Sequence, residues 1–159
     1  MNRMKSKAAT PSAASPRGCT SFKLRQLTRR VSQHYDHIVS QAGLKTTQYS
    51  LLSNLARLGP IRPGDLASQM EMDASTLTRN LQPLVLQGWV EVGPGDDARS
   101  RIVALTRAGR AKQVAAQHAW KQAQLALNEQ LGTAKVAELH ALLDECLLRM
   151  NQTAGDHDE

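Results

Sequence analysis

Residues 62–106 constrain the fold of this chain most, because short secondary-structure patterns follow one another there with little chain between them. Proline is tolerated in a first helical turn, so the first pattern predicts a short helix from Pro63 to Met70. A tight turn then leads to Asp73, a good N-cap for a second helix that ends at Gly88.

Two strand patterns come directly after this second helix. Polar and apolar residues alternate, or β-branched residues predominate, in two short runs, Trp89 to Val92 and Ile102 to Leu105. The residues between these runs begin with turn formers at 93–97. They predict a β-hairpin. Two helices joined by a tight turn and followed by a hairpin describe a winged helix-turn-helix, so the predicted fold class is mainly α with a small β-hairpin wing.

Helical periodicity dominates the rest of the chain. Helices are predicted from about 20 to 41, from a cap at Thr46 or Thr47 to Gly59, from Thr106 to about Leu131, and after a cap at Thr133. The last helix carries a heptad-like apolar seam: Val136, Leu139, Leu143, Cys146 and Met150. Residues 1–18 are predicted to be a disordered basic arm, and the acidic tail from about Asn151 to Glu159 is predicted to fray.

The second helix of the winged motif has two chemically different faces. Apolar residues share one face: Leu77, Leu81, Leu84 and Val85. Small or hydrogen-bonding side chains, none of them acidic, provide the candidate DNA contacts: Ser75, Thr76, Thr78, Arg79 and Gln82. Such side chains match the donors, acceptors and methyl groups of the major groove. A merely solvated face would usually carry Lys and Glu, so we predict that this helix reads double-stranded DNA.

The hairpin tip is a second candidate element. Arg99 and Arg101 alternate along the outgoing strand and therefore point the same way. Arginine suits a narrow minor groove, where the negative potential is enhanced. In the competing interpretation, both arginines only pair with Asp96 and Asp97. We favour Arg99 as a minor-groove contact.

Composition supports this interpretation only weakly. The 159 residues carry a formal net charge of +6, but the excess of Lys and Arg precedes residue 62 and lies outside the segment assigned to DNA. Two distant cysteines give no disulfide framework, which fits a cytoplasmic protein. Apolar runs are too short to span a bilayer. The basic amino end lacks the apolar region of a secretion signal, although an organelle transit peptide has a similar composition.

Catalysis has no motif to support it. The sequence contains no phosphate-binding loop, nucleophile elbow, His-Glu-x-x-His or Cys-x-x-Cys motif, and we expect neither an enzyme nor a cofactor. His34 and His37 share a predicted helix face, but without a carboxylate cluster such residues are more often surface histidines than zinc ligands. A winged helix that binds another protein is the rival class.

Between residues 20 and 150 the sequence resembles the MarR family of bacterial transcriptional regulators. The matching stretches are 43–52, 66–67, 73–81 and 88–90. The most specific match, Asp97 to Arg101 running into Leu105 to Gly109, looks like the family's wing signature.

This resemblance implies a homodimer that binds a pseudo-palindromic operator. Dimerisation helices would lie at 19–45 and 107–150, around a DNA-binding lobe at 62–106. The resemblance also implies a repressor that releases DNA when a small, often phenolic or anionic effector binds between the dimer helices and the lobe. From the residues alone, the seam on the last helix needs a partner surface, which a monomer can also supply internally.

Cys19 offers an alternative switch. It stands at the predicted start of the first helix, where the helix N-terminus and Lys23 would favour the thiolate. In the family's organic-hydroperoxide sensors, oxidation of a cysteine in a similar place releases DNA. Those sensors place a tyrosine one turn later, where this chain has Lys23. An unreactive, half-buried cysteine is therefore the competing interpretation.

Overall fold

A computed structural model describes residues 17–95 and 100–155 of the chain. Its helices, in chain order, are α1 (Thr20–Val39), α2 (Thr46–Leu58), α3 (Pro63–Gln69), α4 (Ala74–Leu86), α5 (Arg107–Leu131) and α6 (Thr133–Gly155). A 3-10 turn over Ser40–Ala42 follows α1, and strands β1 (Val90–Pro94) and β2 (Arg101–Leu105) lie between α4 and α5. The prediction of a mainly helical fold with a small hairpin is confirmed.

The winged lobe, which comprises α2 to β2, is built around leucines of its helices and valines of the hairpin. The largest fully buried side chains are Leu51, Leu52, Leu55, Leu66, Leu77, Leu84, Val39, Val90 and Val103. β1 and β2 pair antiparallel, from Val90 opposite Leu105 to Pro94 opposite Arg101. Ile61 adds a bridge to Val103 through two backbone hydrogen bonds of 3.0 and 2.8 Å. The segment before α3 is thereby attached to the wing.

The first turn of α5 is attached directly to the hairpin. The hydroxyl of Thr106 accepts a hydrogen bond from the N–H of Gly109 at 3.0 Å and donates one to the carbonyl of Gly88 at 2.7 Å. The backbone N–H of Thr106 donates to the carbonyl of Trp89 at 3.1 Å. The ammonium group of Lys112 lies 4.9 Å from the centroid of the Trp89 ring. These contacts join the lobe to the long helix at one point.

The remaining helices, α1, α5 and α6, pack on one another and form what we call the arm. α1 packs along α5, where Nε2 of His34 lies 2.8 Å from the carbonyl oxygen of Ala123 and the Tyr35 hydroxyl donates to Oε1 of Gln124. His34 therefore contacts α5 rather than forming a pair with His37. Among the described residues there is no group of three or more His, Cys, Asp and Glu side chains placed to hold a metal ion. No helix in that part of the chain has the length and hydropathy to cross a membrane.

Several predicted boundaries are wrong. Neither Thr46 nor Thr47 caps α2, because the N-cap position is Lys45 and the N–H of Thr46 instead donates to Asp36 of α1 at 2.8 Å. Thr133 is the first helical residue of α6, since the N–H of Val136 donates to the carbonyl of Gly132. α6 also continues through Asn151, where the sequence predicts fraying, to Gly155.

Candidate nucleic-acid interface

The N-terminus of α4 is organised by the side chain of Asp73, as the sequence predicts. Its carboxylate accepts hydrogen bonds from the N–H of Thr76 at 2.7 Å and from the hydroxyls of Ser75 and Thr76 at 2.5 and 2.7 Å. The hydroxyl of Ser75, then that of Thr76 and then the Thr76 N–H hold the pKa of Asp73 well below its usual range. Both hydroxyls therefore retain only acceptor capacity for a further partner.

The two faces of α4 differ in exposure largely as the residue pattern predicts. Leu77, Leu81 and Leu84 are buried in the lobe. Candidate contacts at the opposite side are exposed: Ser75, Thr78, Arg79 and Gln82. Thr76 is half-buried. The placement of Val85 on the core face is wrong, because its side chain is 39% exposed. Its side chain instead lines an open groove beside the wing.

A groove of about 750 Å³ lies between α4 and the wing. Thr78 and Gln82 line it from α4, and Arg101 lines it from β2. The exposed side chains of Val85 and Val92 contribute to its floor. The structure therefore brings three of the predicted contacts, Thr78, Gln82 and Arg101, together around one concave surface. Arg101 is exposed to solvent there.

Arg79 lies on another side of α4 and does not line this groove. It lines a smaller crevice together with Lys45 and Gln48 at the start of α2. Sequence reasoning missed these two residues as candidate contacts, although both fall within the stretch 43–52 that resembles the family. Their position follows from the packing of α2 on α4, which no local pattern encodes.

The wing tip and Pro83 are the remaining features of this surface. Arg99, with Asp96 and Asp97, lies outside the described residues. Pro83 is exposed and lies within α4, which remains one helix from Ala74 to Leu86. A proline leaves the carbonyl four residues earlier without its helical N–H partner, and here that carbonyl belongs to Arg79.

A second cavity, which we call the arm cleft, separates the arm from the lobe. It has a volume of about 410 Å³ and lies between α1, α2 and α5. Its walls include the aromatic residues Tyr35, Tyr49 and Trp120 and the hydroxyl residues Thr46, Ser50 and Ser53. Burial raises the pKa of Tyr35 above its usual value, so its phenol stays protonated and donates to Gln124.

Cys19 occupies the N-cap position of α1 and is exposed. Its backbone carbonyl accepts a hydrogen bond from the N–H of Lys23 at 3.1 Å. The prediction that it stands at the start of the first helix is correct, whereas the competing picture of a half-buried thiol does not hold for the single chain. Cys146, which belongs to the apolar seam of the last helix, is also exposed in the single chain.

Comparisons with known proteins give a consistent relationship. A family model described as the MarR family matches residues 42–100. The chain is 29% identical over 90 residues to an uncharacterized HTH-type transcriptional regulator, YwoH, of Bacillus subtilis, an alignment that covers 57% of this chain and 66% of that protein. It is 31% identical over 97 residues to the multiple antibiotic resistance protein MarR of Salmonella typhimurium, covering 60% of this chain and 65% of that protein. The alignments thus cover just under two thirds of the length of each of these relatives.

Solved structures extend the likeness to most of the fold. A mutant MarR from E. coli complexed with operator DNA superposes with a TM-score of 0.74 at 26% identity, covering 80% of this chain and 92% of that one. The M. tuberculosis transcriptional regulator MosR in complex with DNA superposes with a TM-score of 0.66 at 29% identity, covering 81% and 98%. The sequence match over residues 42–100 and the superpositions agree: this chain is similar to regulators of the MarR family and has a winged helix-turn-helix fold.

Proposed function

We propose that this chain is a cytoplasmic, homodimeric repressor that binds a pseudo-palindromic, double-stranded operator. The observation that carries the proposal is the exposed polar side of α4, where Thr78, Arg79 and Gln82 face solvent while the leucines of the same helix are buried. Arginine and glutamine can bond guanine and adenine edges in the major groove. The Thr78 hydroxyl donates to the carbonyl of Ala74 at 2.8 Å, so it can accept from a base donor, and its methyl group can contact a thymine methyl.

Arg101 extends the candidate surface from α4 to the wing. It shares one groove with Thr78 and Gln82, so a duplex that receives α4 in its major groove would pass the wing strand. On the other side of α4, Lys45 lines a common crevice with Arg79 and supplies a positive charge for a phosphate contact beside it. Arg99 belongs to the proposal on the strength of its sequence position alone.

Relatives with bound DNA support the same use of the fold. The mutant MarR from E. coli is complexed with operator DNA, and MosR is in complex with DNA. Because this chain matches each of them over about four fifths of its length, we assign it the same class of ligand.

The exposed apolar surface of the arm supports a dimer. Large apolar side chains of α1 and α6 are exposed in the single chain, from 37 to 69% of their area: Phe22, Leu24, Leu142, Leu143, Leu147, Leu148 and Met150. A further cavity with a mainly apolar lining, of about 280 Å³, opens between α1, α5 and α6. Of the seam on α6, only Val136 is buried. Several large apolar side chains exposed on the same helices are typical of a protein interface.

Regulation by a small effector is part of the proposal. The arm cleft lies between the helices assigned to the dimer and α2, which packs against α4. A molecule bound there would act on the position of α4 in each half of the dimer and release the operator. The alternative is an oxidative switch at Cys19, which its exposure permits.

The test begins by sequencing the DNA that the purified full chain retains from a random pool. Binding of the selected operator should then weaken steeply between low and moderate salt, because phosphate contacts release counterions. A mainly apolar protein-binding surface would show no such dependence, and a stable monomer that ignores DNA at low salt would refute the proposal.

Arg79→Ala separates base reading from phosphate binding. We expect it to weaken operator binding by about tenfold or more, the usual cost of a lost bidentate base contact, and to weaken non-specific binding less. Arg25→Ala, which removes the same charge from the exposed surface of α1, is the matched control. If operator and non-specific DNA lose affinity equally, Arg79 is a phosphate contact and the assignment is wrong.

A further inference from the structure

We propose that the amino-terminal half of α1 is a second DNA-binding surface, which holds the phosphates of a duplex other than the one that contacts α4. The protein then bridges two segments of DNA. This goes beyond the proposed function and rests on it only in assigning the first duplex to α4 and the wing.

The positive charge of the chain is concentrated at its amino end. Residues 1–35 contain no Asp or Glu, and their Lys and Arg exceed the net charge of +6 of the whole chain: Arg3, Lys5, Lys7, Arg17, Lys23, Arg25, Arg29 and Arg30. The last four are exposed on α1, and we call them the α1 basic surface. Like charges this close on a helix repel one another, so the surface favours an anionic partner.

The cations of this surface are not neutralised within the described residues, where none of them forms an ion pair. Arg25 and Arg29 are one helical turn apart, and with Thr28 they line an open concavity of about 390 Å³. Arginine and threonine are common phosphate ligands in DNA-binding proteins. The arrangement therefore fits a backbone phosphate between two guanidinium groups.

The α1 basic surface lies at the end of the arm that is far from the lobe. Leu27 of α1 lines a cavity with Leu127 and Leu131, at the carboxyl end of α5. The lobe is attached at the other end of this helix, through Thr106. At 1.5 Å per residue, the 25 residues of α5 are about 37 Å long. A duplex seated against α4 and the wing therefore leaves the α1 basic surface free for another.

The surroundings of the cations favour DNA over a membrane or a second copy of the chain. Helices that lie in a lipid surface bury apolar side chains beneath their cations, but Leu27 and Val31 already line the cavity against α5 and α6. On α6, Glu138 and Glu145 are paired within their own helix, so they are not free to pair with α1 of a second copy. A repressor held on its operator also meets neighbouring duplex at high local concentration.

Retention of a second duplex on immobilised operator measures the bridging. Full-length protein is bound to operator duplex on beads, excess protein is washed away, and a fluorescent duplex without the operator is added. We expect its retention per bound protein to fall about a hundredfold between 50 and 200 mM salt, the dependence that four phosphate contacts give.

Removing charge from α1 should abolish bridging and spare the operator. A triple variant should retain the second duplex about tenfold less, or worse, and keep operator affinity within about twofold: Arg25→Gln, Arg29→Gln and Arg30→Gln. Glutamine has nearly the helix propensity of arginine, so α1 should remain folded. The matched control removes three charges from exposed positions of α2 and α5 and should retain both duplexes: Arg57→Gln, Arg110→Gln and Lys121→Gln.

Several results would overturn the proposal. Equal loss of bridging in both triple variants would show a general effect of charge. Loss of operator affinity in the α1 variant would place its cations on the operator, and a change in its sedimentation would place them in an interface with a second copy. Failure of the parent to retain the second duplex, or its preference for phosphatidylserine vesicles over duplex, would also contradict the proposal.

Failure of the proposed function is recognised separately, because binding to the operator beads is measured before the second duplex is added. If no operator is found, binding of the fluorescent duplex to the parent and to the two triple variants still tests the α1 basic surface. An equal affinity of all three proteins would then refute it.

Discussion

Replacing Gly109 by alanine is expected to destabilise the protein, although alanine is the better helix former by about 1 kcal/mol. A Cβ atom built on Gly109 overlaps the carbonyl oxygen of Trp89 and lies 2.7 Å from its carbonyl carbon. Both obstacles are backbone atoms, so no side-chain rotation relieves the overlap. The start of α5 and the start of the wing have to separate.

The expected magnitude follows from the hydrogen bonds that this separation breaks. Thr106 bonds to the carbonyls of both Gly88 and Trp89, and each hydrogen bond contributes about 1 kcal/mol. Forced displacement in a packed region adds about 1–3 kcal/mol. After the gain in helix propensity, we expect a net decrease of about 2–4 kcal/mol in the free energy of unfolding. For a chain of this size the midpoint of thermal unfolding should fall by roughly 5–15 °C.

Urea and thermal denaturation followed by circular dichroism measure this change. Gly64→Ala is the matched control, because Gly64 lies in α3 and an added Cβ meets nothing within 4 Å. That variant should keep the stability of the parent or exceed it by up to about 1 kcal/mol. Equal stability of the two variants would refute the claim that the contact between α5 and Trp89 requires glycine.

Four further outcomes are expected. Leu84→Ala should cost about 2–5 kcal/mol in urea denaturation, because Leu84 is fully buried in the lobe; a decrease of less than about 1 kcal/mol would contradict its place in the core. Asp73 has a lowered pKa when folded, so its charge should stabilise the fold fully above about pH 4 and progressively less as the pH falls below that value. The stability difference between the parent and Asp73→Asn should shrink over that acid range, and a difference independent of pH would argue against the capping charge. Leu147→Glu should convert a dimer into monomers in analytical ultracentrifugation, since Leu147 is exposed on α6; an unchanged dimer would place the interface elsewhere. If Cys19 is the switch, peroxide should release the operator from the parent and leave Cys19→Ser bound, whereas equal release from both would exclude it.

Local patterns are sufficient for the elements of the winged lobe. The capping role of Asp73, the burial of Leu77 and Leu84 and the pairing of the two strands all depend on residues close together in the sequence. Hydrogen bonds to a helix end and periodic apolar burial act over a few residues, so they are encoded where they occur.

The exceptions have a common physical cause. The sequence predicts Thr46 or Thr47 as the cap of α2, but the N-cap position is Lys45. Asp36 of a different helix accepts the N–H of Thr46, and the Thr46 hydroxyl is buried without a partner among the described residues. The helical pattern places Val85 on the buried face of α4, but its side chain is 39% exposed and lines the groove beside the wing. In each case a distant segment decides which atoms are covered.

The amino-acid sequence by itself determined the order of helices, the hairpin and the polar side of α4, because periodicity and capping are short-range effects. Only the tertiary structure decided that Arg101 shares a groove with Gln82, that Lys45 lies beside Arg79 and that uncharged side chains line the arm cleft. These arrangements depend on how α1, α2 and α5 pack across long separations in the chain, where chain connectivity no longer restricts which side chains meet.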